Sequence, residues 1–338
     1  MSALRGAVIG CGFFAQNHLK AWGDIAGAEL VAVCDLDPAK AAAAAALTGA
    51  EAFTDVDAML AAARPDFVDI ATTMETHEPL VAKAAAAGAD IICQKPFAPD
   101  IAGVRRILQT AEAAGIRLMV HENFRFQSPL IELRRAMPAI GEPFFAHIAW
   151  RTGYDVVAGQ PYLAKVERFI LLDLGIHVLD VARFLLGDVA DLYARTQRTM
   201  PGARGEAQAT MTLRHRSGAV CAVTCTYTNR IDPDPFPQTL AEIEGRDGTL
   251  RLERDYRLEL HRPGSLEVRD IRPGVPSWAD PQWALAQGSV LNTQQHFVDC
   301  LKSGAEFQTS GRDNLKTFAL VEAAYASAAS GQPVVPEA

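Results

Sequence analysis

Val8-Ile9-Gly10-Cys11-Gly12-Phe13-Phe14-Ala15 is the stretch that decides the fold. It sets a G-x-G-x-x-A pattern between an apolar run, 7–10, and a helix-patterned segment, 13–24. Gly10 permits a tight turn, Gly12 lets the backbone approach a pyrophosphate, and Ala15 lets the helix pack closely on the strand. A helix start also offers free N–H groups and the positive end of a dipole to phosphates. Gly10, Gly12, Phe13 and Phe14 are therefore candidate cofactor residues. Asp35 ends the next strand pattern, 23 residues after Gly12. A carboxylate there accepts from both ribose hydroxyls and repels a 2′-phosphate. Leu36 follows, with no Arg to receive that phosphate, so NAD is expected over NADP. The competing reading is that Asp35 only opens a turn with Asp37 and Pro38.

Outward from this motif, strand patterns at 7–10, 29–35, 67–71, 90–93 and 117–120 alternate with helix patterns at 13–24, 38–47, 56–63, 77–87 and 101–114. Gly49, Gly88 and Gly115 mark helix stops. This alternation predicts a doubly wound parallel sheet, a Rossmann domain over 1–123. Beyond it, helices at 130–137 and 174–186 flank a strand at 143–150. Strands at 207–214, 219–227, 240–244, 250–253 and 256–261 then follow without intervening helices. That order predicts an α+β domain over 124–338 with a large, open, mainly antiparallel sheet. The loop 262–280 is expected to be the most mobile segment. Helices at 290–302 and 312–329 close the chain, the last placed to return toward the first domain. One sheet face is expected to be covered by helices and the other to carry apolar residues such as Val220, Ala222 and Val223 or their alternates, and so to make a homodimer or a dimer of dimers.

The 338 residues fit about two domains. The net charge of −8 argues against a nucleic-acid partner. No apolar run reaches the roughly 18 residues that span a bilayer, and the N-terminus carries no secretory signal pattern. A cytoplasmic protein is expected, with Cys11, Cys34, Cys93, Cys221, Cys225 and Cys300 as reduced, buried thiols.

Two clusters carry chemistry. The strand 90–93 runs into Gln94-Lys95-Pro96, and ligands sit beyond the carboxyl ends of such strands. Lys95 can donate to a substrate hydroxyl and stabilise alkoxide character as hydride leaves; the alternative is a plain surface lysine. Asp173-Leu174-Gly175-Ile176-His177 places a carboxylate and an imidazole four apart, on one face of a helix start. The carboxylate orients the imidazole, which takes the hydroxyl proton, with Asp180 three residues further on. The alternatives are an N-cap role for Asp173 or a purely structural pair. No metal is expected, because one His and two Asp lack further ligands.

Together with Gly10-Cys11-Gly12, Thr72-Thr73 followed by His77, and Asn123-Phe124-Arg125-Phe126, these clusters make the chain resemble the glucose–fructose oxidoreductase/inositol dehydrogenase/MocA-like family over nearly its whole length. The resemblance implies a catalytic set of Lys95, Asp173 and His177, with the histidine as acid/base. It implies that Thr72, Thr73, His77, Gln94, Lys95 and Asn123 line the cofactor, and that the Lys95–Pro96 peptide is cis. Two departures stand out. Gln94 replaces the family's Glu and removes a charge beside Lys95. The bulky run Glu167-Arg168-Phe169-Ile170-Leu171-Leu172 replaces small residues before the Asp173 motif. The stretches Gln94–Pro99 and Val120–Arg125 look like the branch that includes D-apiose dehydrogenases.

The leading reading is an NAD-dependent dehydrogenase of a sugar or polyol hydroxyl, with an aldose such as D-apiose, oxidised at its anomeric carbon, as the first candidate. The expected substrate pocket draws on Lys95, Arg125, Arg151, Tyr154, Arg168, Asp173 and His177. A reductase of a keto-sugar uses the same groups in reverse. A nucleotide-sensing regulator without catalysis is the third reading.

Overall fold

The first third folds as a parallel sheet in a computed structural model, which describes residues 3–338. Strands β1 (Leu4–Ile9), β2 (Ala28–Cys34), β3 (Glu51–Phe53), β4 (Phe67–Ile70), β5 (Asp90–Gln94) and β6 (Leu118–His121) stand in the order β3-β2-β1-β4-β5-β6. Every neighbour pair is parallel. The order reverses between β1 and β4, and the crevice at such a reversal is where doubly wound sheets take a dinucleotide. Strands β4 and β6 are buried along their whole length, which is why they read as continuous apolar runs. Strand β3 was not expected from the sequence. It is a three-residue edge strand with no buried residue, too short to show a period.

Five helices connect these strands: α1 (Ala15–Trp22), α2 (Pro38–Thr48), α3 (Val56–Ala63), α4 (His77–Ala86) and α5 (Ile101–Ala114). Their ends follow from local chemistry. The carboxylates of Asp37, Asp55 and Asp100 accept from the backbone N–H of Ala39, Ala58 and Gly103 and cap α2, α3 and α5. Gly49 and Gly115 end α2 and α5 at φ of 76° and 68°, a region that suits glycine.

The second sheet has eight strands: β7 (Pro143–Arg151), β8 (Val189–Gln197), β9 (Gln208–His215), β10 (Val220–Thr226), β11 (Leu240–Gly245), β12 (Gly248–Leu252), β13 (Arg257–Arg262) and β14 (Ser265–Asp270). Their order is β14-β13-β12-β11-β7-β10-β9-β8. All pairs are antiparallel except β7 with β10. Strand β14 lies inside the segment read as a mobile loop; it pairs with β13 across a turn at Gly264. Helix α6 (Ser128–Ala136), a short turn α7 (Val156–Gly159), helix α8 (Ile176–Leu186), and the twenty-residue α9 (Ala284–Ser303) and α10 (Gly311–Ser330) complete the chain.

Period-two alternation sorts the second sheet into two faces. Ala146, Ile148, Met211, Leu213, Cys221, Val223 and Ile243 are all buried on one of them. Of the residues expected on an exposed apolar face, Val223 lies on this buried one, beside Ile148 and Met211, while Val220 and Ala222 lie on the other, beside Arg214 and Thr212. The opposite face mixes polar residues, Thr210, Thr212, Arg214, Glu242 and Arg251, with the apolar Val220, Ala222, Leu266 and Val268. Arg251 bonds Glu242 at 2.8 Å, and Glu259 receives Arg257 at 2.7 Å and His261 at 2.9 Å.

The chain divides into two compact units. The first runs through Asn123 and also takes Ser289–Leu315; the second comprises Phe124–Gly288 and Lys316–Ala338. Most of α9 thus clusters with the first unit, although the sequence reading assigned it to the second. Of α10, only the residues through Leu315 do so.

Candidate active site

In the first unit, Gly10 sits at φ 96°, and a Cβ there would lie 2.6 Å from the carbonyl oxygen of Ala71. No other residue fits that turn. A Cβ at Gly12 would meet nothing within 4 Å, so the loop leaves open space where a pyrophosphate must come close to backbone. Phe13 is 66% exposed. Phe14 precedes α1 and meets the His18 ring edge-on at 5.7 Å.

The Asp35 carboxylate accepts from the Cys11 N–H at 2.8 Å through Oδ2 and from the Asp37 N–H at 2.9 Å through Oδ1. The turn-forming role is therefore real. It does not displace the other one, because each carboxylate oxygen accepts more than one hydrogen bond, and the Cys11 bond aims the carboxylate at the glycine loop. Leu36 is 90% exposed. These groups fit an adenine dinucleotide: an open glycine cradle, a helix start and an acceptor pair for ribose hydroxyls.

At the carboxyl end of β4, the Thr76 hydroxyl donates to the Thr73 carbonyl and accepts from the Thr72 hydroxyl, both at 2.7 Å. His77 is fully buried, with its ring nitrogens 3.2 Å from the carbonyls of Phe97 and Thr72. Burial pushes its pKa down, against those carbonyl bonds. Asn123 donates to Ser289 Oγ at 2.7 Å. The Lys95–Pro96 peptide is cis, and the Lys95 backbone N–H donates to Gln94 Oε1 at 2.7 Å.

The second unit carries Asp173 and His177. Leu171–Gly175 is a turn of π-helix running into α8, and it holds Asp173. A π turn inserts an extra residue and is common at functional positions. Tyr227, just past β10, donates its hydroxyl to Asp173 Oδ2 at 2.8 Å. Burial, followed by the Asp173 charge and bond, pushes the Tyr227 pKa well above its ordinary value, so it stays a donor. His177 is 5% exposed, and its ring lies flat on Phe124, 4.1 Å between centroids and 6° between planes.

Sequence reasoning passed over Tyr227 and Phe124 as site residues. The inward register of β10, continued past Cys225, was the available signal for the tyrosine.

Two expected substrate residues are held by carboxylates. Arg125 is 6% exposed and grips Asp180 at 2.7 and 2.5 Å. Asp180 also accepts from Thr317 at 2.9 Å, so its place is this buried pair. Arg168 bonds Glu322 at 2.5 Å and lies over the Tyr325 ring at 4.3 Å. Arg151 ends β7 and is half-buried. Tyr154 stacks on Phe236 at 4.2 Å and meets Trp283 edge-on at 5.4 Å. Trp150 meets both Phe236 and Tyr227. The second unit thus joins Asp173 to an aromatic cluster through Tyr227 and Trp150.

Among the described residues, no group of three or more His, Cys, Asp or Glu is arranged to hold a metal, and no helix is long and apolar enough to cross a membrane.

Residues 4–122 match the GFO/IDH/MocA oxidoreductase family with its NAD-binding Rossmann fold, and residues 135–251 match the GFO/IDH/MocA C-terminal domain. D-apiose dehydrogenase from Rhizobium rhizogenes is 50% identical, covering 99% of this chain and 98% of its own. The enzyme of that name from Paraburkholderia graminis is 51% identical, covering 98% and 89%. An oxidoreductase from Agrobacterium radiobacter, solved with NAD+, L-tartaric acid and magnesium, superposes with a TM-score of 0.96 at 50% identity, covering 99% and 98%.

Proposed function

Because this chain belongs to the GFO/IDH/MocA family of NAD-binding oxidoreductases, we propose that its substrate is a free aldose, D-apiose first among them, oxidised at the anomeric carbon to a lactone. The observation that carries the choice of sugar is the near-full-length identity of about half to two D-apiose dehydrogenases. The chain itself is an NAD-dependent sugar dehydrogenase.

In this reading the nicotinamide supplies a hydride acceptor. The chain's own groups manage the hydroxyl. Lys95 donates to the oxygen and stabilises its developing negative charge. His177 accepts the hydroxyl proton while Asp173 orients it. Tyr227 holds the carboxylate from behind, and Phe124 fixes the plane of the imidazole by stacking. The aromatic rings of Tyr154 and Trp283 offer apolar faces to the C–H side of a sugar. Arg125 and Arg168, already bound to carboxylates, serve the scaffold of the pocket. Reduction of the corresponding carbonyl uses the same groups in reverse. We also assign a homo-oligomer, a dimer or a dimer of dimers, and a cytoplasmic location.

A panel of aldoses and polyols incubated with NAD and followed by NADH absorbance tests the reading. D-apiose is expected to give the highest kcat/KM. Turnover confined to cyclic polyols, with no aldose oxidised, overturns it.

A further inference from the structure

Strand β4 reads Phe67-Val68-Asp69-Ile70, and all four residues are buried. A carboxylate in the middle of a strand covered on both faces needs a reason. Asp69 is 0% exposed, and three donors converge on its Oδ2: His18 Nδ1 of α1 at 2.8 Å, Trp22 Nε1 at 2.7 Å and Gln294 Nε2 of α9 at 3.2 Å. The far nitrogen of the same imidazole, His18 Nε2, lies 3.0 Å from Gln94 Nε2. The other end of that amide, Gln94 Oε1, accepts the backbone N–H of Lys95. One buried chain thus runs from Asp69 through His18 and Gln94 to the residue assigned to hold the substrate oxygen.

The proton positions along this chain follow from its last member. A backbone N–H only donates, so the Gln94 amide must turn its oxygen toward Lys95. Its nitrogen then faces His18. An amide nitrogen only donates, so His18 Nε2 must be the acceptor and bear no proton. The single ring proton of a neutral imidazole is left on Nδ1, where Asp69 takes it. A proton added at Nε2 would oppose the Gln94 donor. The amide would have to flip, and the Lys95 N–H would then face an NH2 group.

We propose that Asp69, His18 and Gln94 are positioning residues for Lys95, and that they hold its backbone only while His18 is the neutral Nδ1–H tautomer. This rests on the role assigned to Lys95. It also gives the Gln94 departure from the family's usual Glu a physical meaning. A carboxylate in place of the Gln94 amide has no donor for His18 Nε2, so His18 would have to be doubly protonated to serve that carboxylate and Asp69 at once. The competent state of the chain would then be the charged one. The other groups facing the imidazole are the His121 ring of β6 at 4.2 Å and the Phe14 edge. Beside Asp69, the Cys93 thiol of β5 is pushed well up by burial and by the Asp69 charge.

Two measurements test this. Long-range proton–nitrogen NMR of the NAD-bound enzyme, with the His18 signals assigned by their loss in His18→Gln, is expected to show a neutral Nδ1–H ring near neutral pH. In Gln94→Glu it should show a doubly protonated one. A doubly protonated or Nε2–H ring in the parent protein overturns the proposal, whatever the variants do.

The kinetic measurement is the kcat profile against pH. Gln94→Glu should gain an alkaline limb in addition to any in the parent profile, falling about tenfold per pH unit. Adding His18→Gln, whose amide can donate to the introduced carboxylate without titrating, should remove that limb. A profile of unchanged shape in Gln94→Glu, or a new limb that survives His18→Gln, also overturns it. The reading of Lys95 fails separately: it falls if Lys95→Ala keeps its kcat, a result that leaves the His18 tautomer untouched.

Discussion

In the proposed reading Asp35 does two jobs with one carboxylate, and this shapes how the cofactor preference can be changed. Its charge is assigned to exclude a 2′-phosphate, while its Oδ2 fixes the Cys11 N–H of the glycine loop. Leu36→Arg alone should change little, because the exposed Arg still stands beside that charge. Asp35→Ser with Leu36→Arg should raise the ratio of NADP to NAD affinity, and NAD binding should weaken as the loop loses its anchor. Titration of both cofactors checks this, and a parent protein that already binds NADP more tightly refutes the role given to Asp35. On the substrate side, His177→Ala should lower kcat by about 10²–10⁴-fold, the usual cost of a positioned acid–base group, and leave NAD affinity nearly unchanged. Lys95→Ala should lower kcat and raise KM for the sugar as well. The double variant should be little worse than the worse single one, since the two act as a unit. Retention of more than about half the parental kcat in His177→Ala would mean that the proton leaves by another route. The sequence singles these residues out because short motifs mark them. Arg125 and Arg168 were read as substrate ligands because a lone arginine near a motif gives no sign of its partner. Their carboxylates lie 55 and 154 positions away in the chain.

The element that presents Asp173 is a π turn, and it is held by a residue far from any motif. Glu206 is 6% exposed, and its Oε1 accepts from the N–H groups of Phe169 and Leu171 at 3.2 Å and from the Tyr325 hydroxyl at 2.7 Å. It caps the start of the turn, satisfying donors that would otherwise be stranded. Glu206→Ala leaves two buried N–H groups and the part-buried Tyr325 hydroxyl without that acceptor and should cost about 2–3 kcal/mol, in the range for bonds to a charged group. Thermal unfolding should show the midpoint lowered by several degrees. Activity at lower temperature should also fall, because the turn carries Asp173. An unchanged midpoint would assign the support of the turn to other contacts. The sequence predicted a helix over this region but not its π start. Hydrophobic period alone does not separate a wide turn from an ordinary one when Ile170, Leu171, Leu172 and Leu174 are all buried. The parallel sheet was legible for the opposite reason: glycine stops and aspartate caps punctuate its helices. Strands β3 and β14 escaped, one at three residues and the other with all six residues exposed.

At the scale of the molecule, the open face of the eight-stranded sheet carries ion pairs together with the exposed apolar side chains of Val220, Leu266 and Val268. An oligomer formed through this face would bury those side chains among the ion pairs. Light scattering at micromolar concentration is expected to give a dimer or tetramer; a monomer removes the assignment. The six cysteines give a second global readout, because Cys11, Cys34, Cys93, Cys221, Cys225 and Cys300 are all free and all buried. Burial pushes each thiol upward: Cys11 to about 12 with help from the Asp35 charge, Cys34 to about 11, and Cys221 and Cys225 to about 12. Cys93 and Cys300 move in the same direction, again by burial first. The thiolate is the reacting form, so at pH 8 the native protein holds almost none of it, and what little exists is shielded from reagent. A thiol-reactive chromophore should therefore label no cysteine of the folded protein within minutes and all six once guanidinium has unfolded it. The folded rate should not change with NAD, since the Cys11 thiol is shut off by burial whether or not the glycine loop is occupied. Rapid labelling of even one thiol in the native state would show a segment opening that the packing of both units does not allow, and mass mapping of the labelled peptide would say which sheet had opened.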